Sequence, residues 1–255
     1  MIIYKNAEEI SIMREGGKIA AAVMERLSGS IHPGMSTLEI DRLAQDLIIE
    51  KGAQPSFKGF EGYRFSTCIN VNEGVVHGIP KKTVILNLGD VLKVDLGVLY
   101  KGFHTDTAFS CLVGAGPHSE EKLRFLETGK KALTAAIGRC QVGNRIGDIS
   151  STIQDIVEGA GYHVVEELVG HGVGRRLHED PQVPGLGKPH TGALLKEGMT
   201  LAVEVIYTSA PSQIVSGADG WTLSAVNGRI AGLFEHTVSL SKKGVEVLTL
   251  GRYLC

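Results

Sequence analysis

The sequence predicts an α+β fold built as two related halves around a pseudo-twofold axis. Three observations predict it. Helix signals arrive in two pairs, the second pair repeats the plan of the first 109 positions later, and alternating strand segments follow each pair. Asn6 and Glu9 form a capping box that opens a helix through about Leu27. Pro33-Gly34 breaks the chain, and Ser36 with Glu39 opens a second helix whose Ile40, Leu43, Leu47 and Ile48 share one face. Gly52 ends it. In the second copy Gly143 stands where Gly34 does, Ile149 matches Ile40, Gln154-Asp155-Ile156 matches Gln45-Asp46-Leu47, and Gly161 matches Gly52. Upstream, Gly129-Lys130 resembles Gly17-Lys18, with a short length difference between. Two copies are too few for a solenoid. No Pro/Ser-rich or low-complexity linker divides them, so the expectation is one domain, 1–255, with pseudo-repeats about 1–112 and 113–255. Sheet faces from both halves then meet in a central core, a natural place for a ligand.

Segments 91–96 and 103–109 alternate as strands, with Val98 to Gly102 as a hairpin connection. Segments 199–207 and 230–240 also read as strands.

Composition narrows the function. Of 255 residues, 43% are hydrophobic and 21% charged, as in an ordinary globular protein. Lys and Arg total 26 against 28 Asp and Glu. That balance carries no footprint for nucleic acid and no polybasic segment for a membrane surface. No apolar run is long enough to span a bilayer, and the N-terminus MIIYKNAEEISIMREGG lacks a signal-peptide core. Cys68, Cys111, Cys140 and Cys255 form no C-x-x-C pair and read as four reduced thiols of a cytoplasmic protein.

The chemistry lies in misplaced acids. Asp95 and Asp106 sit in apolar strand segments, where aspartate is disfavoured and costly to bury unpaired. A hairpin folded between Tyr100 and Lys101 would set them directly opposite on one face. Facing carboxylates repel unless a cation lies between them, although a solvent-facing pair satisfies the same pattern. Glu204 in LAVEVI and Glu235 in IAGLFE repeat the oddity in the second half, and four such acids favour a metal site. The segment GHGVGRRLHE, 170–179, adds His171 and His178 among alternating glycines, which let backbone approach a ligand closely. It has no Walker spacing, no H-E-x-x-H and no following P-C-x-x-C. One histidine suits a metal and the other a substrate contact, and His77 in VVHGIP is a third candidate.

Read together, Asp95, Asp106, His171, Glu204 and Glu235 resemble the five metal ligands of the methionine aminopeptidases. The phrases VVHGIP, GFHTDTA and GHGVGRRLHEDPQVP match too, and the resemblance covers nearly the whole chain. It implies the pita-bread fold, two α+β halves with an antiparallel sheet core and outer helices. It implies two divalent ions, Co, Mn, Fe or Zn, with Asp95 on one, His171 and Glu204 on the other, and Asp106 and Glu235 on both. Such a pair activates a water for attack on the carbonyl after the first residue. Glu204 would shuttle the water proton, His178 would polarise the carbonyl, and His77 would contact the scissile peptide or leaving amine. The substrate's free α-amine on a metal would explain exopeptidase action. A slender apolar pocket for methionine falls to Phe60, Tyr63, Cys68, Leu177 and Trp221, each of which could equally be core.

The chain looks like the type I form, having no zinc-knuckle extension and only 26 positions between His178 and Glu204 and 31 between Glu204 and Glu235. Val205 stands where the family commonly has proline, Leu177 where relatives often carry an aromatic residue, and 209–220 is atypical, all read as next to ligands or pocket walls. The expected partners are N-terminal peptides of nascent proteins, with transient ribosome association, no nucleic acid, no membrane and a monomeric state. The competing readings are a proline-directed or broad aminopeptidase of the same fold, with an altered pocket, and a non-enzymatic binding homologue, which would have lost ligands.

Overall fold

The computed structural model describes residues 1–252. The first half runs α1 (Ala7–Ser28), α2 (Thr37–Glu50), β1 (Gln54–Pro55), β2 (Thr67–Val71), β3 (Gly74–Val76), β4 (Val91–Tyr100) and β5 (Phe103–Leu112). The second runs α3 (Ser119–Gly138), α4 (Ile146–Gly159), β6 (His163–Val164), β7 (Val169–Gly172), β8 (Glu179–Pro184), β9 (Thr200–Thr208), β10 (Ile214–Ser216), β11 (Leu223–Ala225), β12 (Ala231–Ser241) and β13 (Gly244–Val247). Both capping boxes of the first half form as expected, Asn6 with Glu9 and Ser36 with Glu39.

The main antiparallel sheet runs β1-β4-β5-β12-β9-β7-β8, with β2 also on β4, β6 on β9 and β13 on β12. The two halves therefore join at β5 and β12, in the middle of one sheet. A small second sheet, β10-β11-β3, takes up part of the atypical 209–220 segment. Strand alternation sorts the side chains. Val94, Leu96 and Val98 of β4 pack with Ala20, Met24 and Ile40 of α1 and α2. Val203, Val205 and Tyr207 of β9 pack with Leu133, Ile149 and Ile153 of α3 and α4. Each fully buried aliphatic chain contributes about 1.5–3 kcal/mol, so the helices bind the outer face of the sheet firmly. The residues between them in sequence, including Asp95 and Glu204, are left on the inner face.

The halves repeat in detail. Gly34 N–H donates to Leu86 O at 2.8 Å, and Gly143 N–H to Leu195 O at 3.0 Å. Thr37 N–H donates to Val84 O and Ile146 N–H to Ala193 O, both at 3.0 Å. The isolated bridges Ser36↔Ile85 and Arg145↔Leu194 correspond, as do the positive φ values of Gly89 (83°) and Gly198 (85°). Every one of these pairs differs by 109 positions.

The hairpin is tighter than the sequence reading had it. Tyr100 pairs with Phe103, and only Lys101-Gly102 turns, at φ 47° and 83°. This is the positive-φ two-residue turn that suits strand twist. Asp95 consequently lies opposite Ala108, and Asp106 opposite Gly97. The two acids are not directly across from each other; they are offset by one pleat repeat, and because that repeat is two residues they keep the same face.

Candidate metal centre and active site

The ladder registers place the acids in a row. Asp95 is opposite Ala108, Ala108 opposite Glu235, and Glu235 opposite Glu204, across four neighbouring strands. One pleat repeat along, Asp106 and His171 flank the row, His171 lying opposite Ala202. Ala108 and Ala202 are the small buried side chains that leave space between the donors. Thr107 and Thr237 stitch the junction of the halves. The Thr107 hydroxyl donates to Glu235 O at 2.9 Å, and Asp106 N–H donates to the Thr237 hydroxyl at 2.8 Å. The sequence reading passed over both threonines, whose only signal is a hydroxyl one or two residues after a central acid.

These carboxyls are buried together. Asp106 is 4% and Glu235 2% exposed. Burial, followed by the charges of neighbouring acids, holds Asp95, Glu204 and Glu235 well above the usual carboxylate range. Burial pushes Asp106 up to about 7. Asp95 Oδ1 and Glu235 Oε1 are buried without a hydrogen-bond partner. Donor atoms of Asp106, His171 and Glu235 lie within 4.8 Å of one another, and His171 Nε2 is 3.5 Å from Glu204 Oε1. His171 Nδ1 lies 2.8 Å from Gly172 O. That contact makes Nδ1 the donor and turns the Nε2 lone pair toward the acids, the usual way a ligating imidazole is oriented. Burial and then His178 push His171 down to about 4, keeping it neutral. Unpartnered acid oxygens and a neutral imidazole on one cavity are the donor set a divalent cation satisfies.

The glycines beside His171 serve the protein, not a ligand, which corrects the sequence reading. A Cβ at Gly170 would stand 2.4 Å from Ala202 O, at Gly172 2.2 Å from Asp180 O, and at Gly174 2.4 Å from Lys5 Cε. Neighbouring strands and a lysine stem occupy the space the absent side chains release.

A cleft of about 770 Å³ opens over the acids. All twelve candidate residues line it: Asp95, Asp106, His171, Glu204 and Glu235; His77 and His178; Phe60, Tyr63, Cys68, Leu177 and Trp221. Cys68 pairs with Asp95 on the ladder and so extends the acid row into an apolar end. There Tyr63, Cys68 and Leu177 pack with Phe60 and Trp221. The Tyr63 and Trp221 rings are 5.0 Å apart, edge to face. Tyr63 OH donates to Thr67 O at 2.8 Å, which fixes the ring without spending polarity on the cleft. The His178 ring meets Phe60 at 5.1 Å and His171 at 4.4 Å, both edge-on. His77 and His178 keep an exposed edge in the cleft, and partial desolvation lowers the pKa of both. His77 holds φ 55°, a strained value for a side-chain-bearing residue.

Of the departures noted in the sequence, Leu177 does line the cleft. Val205 does not: strand alternation turns it into the helix-side core, fully buried. Cys68, Cys111 and Cys140 are buried and form no disulfide among the described residues, while Cys255 lies outside them.

Acidic donors with one imidazole, set on a pseudo-symmetric α+β sheet beside an apolar pocket, define a metal-dependent hydrolase. The model of metallopeptidase family M24 matches residues 11–242. The chain is 42% identical to methionine aminopeptidase 1 of Bacillus subtilis over 98% of its length and 99% of the relative's. Its structure superposes on the methionine aminopeptidase of Thermotoga maritima with TM-score 0.93 at 38% identity, covering 98% and 99% of the two chains. A prolidase from Pyrococcus furiosus, 23% identical with TM-score 0.78, shares the fold over 98% of this chain and 66% of its own. The chain belongs to metallopeptidase family M24 and, within it, to the methionine aminopeptidases. Its fold is the pita-bread fold, and it binds divalent metal. Among the described residues no helix is long and apolar enough to cross a membrane.

Proposed function

We propose that this chain is a type I methionine aminopeptidase that removes the initiator methionine from nascent proteins whose second residue is small. The observation that carries the reading is the row Cys68–Asp95–Ala108–Glu235–Glu204, which joins an apolar pocket directly to the metal-type donors. Asp95, Asp106, His171, Glu204 and Glu235, which line one cleft, would hold two divalent ions, Co, Mn, Fe or Zn. When bound, such a pair supplies Lewis acidity and an acidified water at neutral pH.

The protein's own groups do the rest. Glu204 accepts the proton of the attacking water. His178 donates its N–H to the carbonyl oxygen, where negative charge develops. His77 holds the scissile peptide and meets the leaving amine. Phe60, Tyr63, Cys68, Leu177 and Trp221 take the methionine side chain and exclude water from it. With His77 and His178 both reaching the scissile peptide, a large second side chain is crowded out. The same reading has the protein act as a cytoplasmic monomer on nascent N-terminal peptides, with transient ribosome association.

Turnover of Met-Ala-Ser, Met-Lys-Ser and Ala-Pro-Ala by the metal-loaded protein tests the proposal. Met-Ala-Ser should be cleaved best, and norleucine should replace methionine because an apolar pocket discriminates weakly between isosteres. Preference for Ala-Pro-Ala would make it a proline-directed enzyme, and no cleavage of any peptide would make it a binding homologue.

A further inference from the structure

Three ion pairs tie the first nine residues to the loop that carries His178 and to the start of β8 that follows it. The terminal ammonium of Met1 meets Asp180, Glu9 meets Arg175, and Lys5 meets Glu179. The first two have an exposed partner and contribute little. The third is different: both side chains are 1% exposed. A buried ion pair is poor value for stability, since apolar residues of similar size serve as well or better. Its place in the fold gives it another use.

Glu179 adjoins His178 and pairs with Gly172, the residue after His171, at a bulge in the ladder between β7 and β8. One Glu179 oxygen accepts from Arg176 N–H at 3.1 Å, closing the turn that presents Leu177 and His178. The other accepts from the Lys5 ammonium, which also donates to Ile3 O at 3.1 Å. Lys5 is itself fixed, its N–H donating to Gly198 O at 2.8 Å and its stem lying where a side chain at Gly174 would be. The carboxylate is thus held from both sides, and with it the backbone from which the His178 ring projects.

We propose that Lys5 and Glu179 are positioning residues for His178, aiming its ring at the substrate carbonyl; this rests on the oxyanion role given to His178 above. The test compares Lys5→Met, Glu179→Gln and the double variant Lys5→Met/Glu179→Met with His178→Ala, each metal-loaded, in kcat, KM, metal content and melting temperature. Single variants leave one buried polar group unpaired and can lose stability, but the double variant removes both charges and should melt close to wild type. The expected result is a kcat about tenfold or more below wild type in the double variant, with KM and metal content within about twofold. Wild-type kcat in a stably folded double variant overturns the proposal, and so does a loss of metal that accounts for the loss of rate. If His178→Ala itself retains wild-type kcat, the role of His178 fails instead, and the two failures are told apart.

Discussion

Asp95 and Glu204 occupy the same position in the two halves of the molecule, each the fifth residue of its strand, 109 positions apart. Their neighbours on the helix side, Val94 with Leu96 and Val203 with Val205, are buried alike. The central strands β5 and β12 add Asp106 and Glu235, so each half supplies two acids. The strands flanking this group break the symmetry. β2 lies on β4 and brings Cys68 and the apolar pocket, whereas β7 lies on β9 and brings His171. A pseudo-symmetric sheet thereby gains one end for a side chain and one for an imidazole.

The acids make the metal-free protein sensitive to pH. Asp106 titrates near its ordinary value when unfolded and at about 7 when folded. Burial also holds Asp95, Glu204 and Glu235 well above the ordinary carboxylate range. The folded state therefore holds more protons, and stability falls as pH rises through the folded pKa values. His171 and His236, both lowered to about 4, act in the opposite sense below the unfolded histidine range, and buried Lys93, lowered to about 7, does so above it, one group against four acids. Metal-free protein should melt several degrees lower at pH 8.5 than at pH 6.5. Asp106→Asn should flatten that slope and melt above the wild type at pH 8.5. A variant less stable than wild type there contradicts the electrostatic account.

The two histidines of the 170–179 segment should separate in a metal assay. His178→Ala should keep its metal and lose about 10²-fold or more in kcat, as when an oxyanion donor is removed. His171→Ala should lose metal affinity, because its Nε2 faces Glu204. An equal fall in metal content in both variants would show that the roles are wrongly divided.

Leu177 lines the apolar end of the cleft, packed with Phe60 and Trp221. Leu177→Phe should narrow it and raise the kcat/KM ratio of Met-Ala-Ser over Leu-Ala-Ser about tenfold, within the 1–3 kcal/mol that one pocket contact discriminates. An unchanged ratio would remove Leu177 from the pocket wall.

What the sequence made legible followed from local rules. Capping boxes span three residues, so the starts of α1 and α2 could be read directly. Acids in apolar strands stand out because burial of charge is costly, and that marked Asp95, Asp106, Glu204 and Glu235. The hairpin register was misread because strand alternation tolerates any even shift, and only the backbone shows that Lys101-Gly102 is the whole turn. Val205 does adjoin the donor Glu204, but strand alternation turns its side chain to the opposite, helix-side face. The Lys5–Glu179 pair left no local trace, since its partners are 174 positions apart and each is an ordinary surface residue type.

The most direct test of the metal centre is to measure bound metal and methionine release on the same samples of wild type and Asp106→Ala, before and after exhaustive chelation. The account predicts two divalent ions per chain in the wild type, loss of release on chelation, and recovery when divalent metal is restored. It predicts neither full occupancy nor measurable release for Asp106→Ala, which lacks one of the proposed metal donors. Near-normal release by Asp106→Ala after chelation would contradict it.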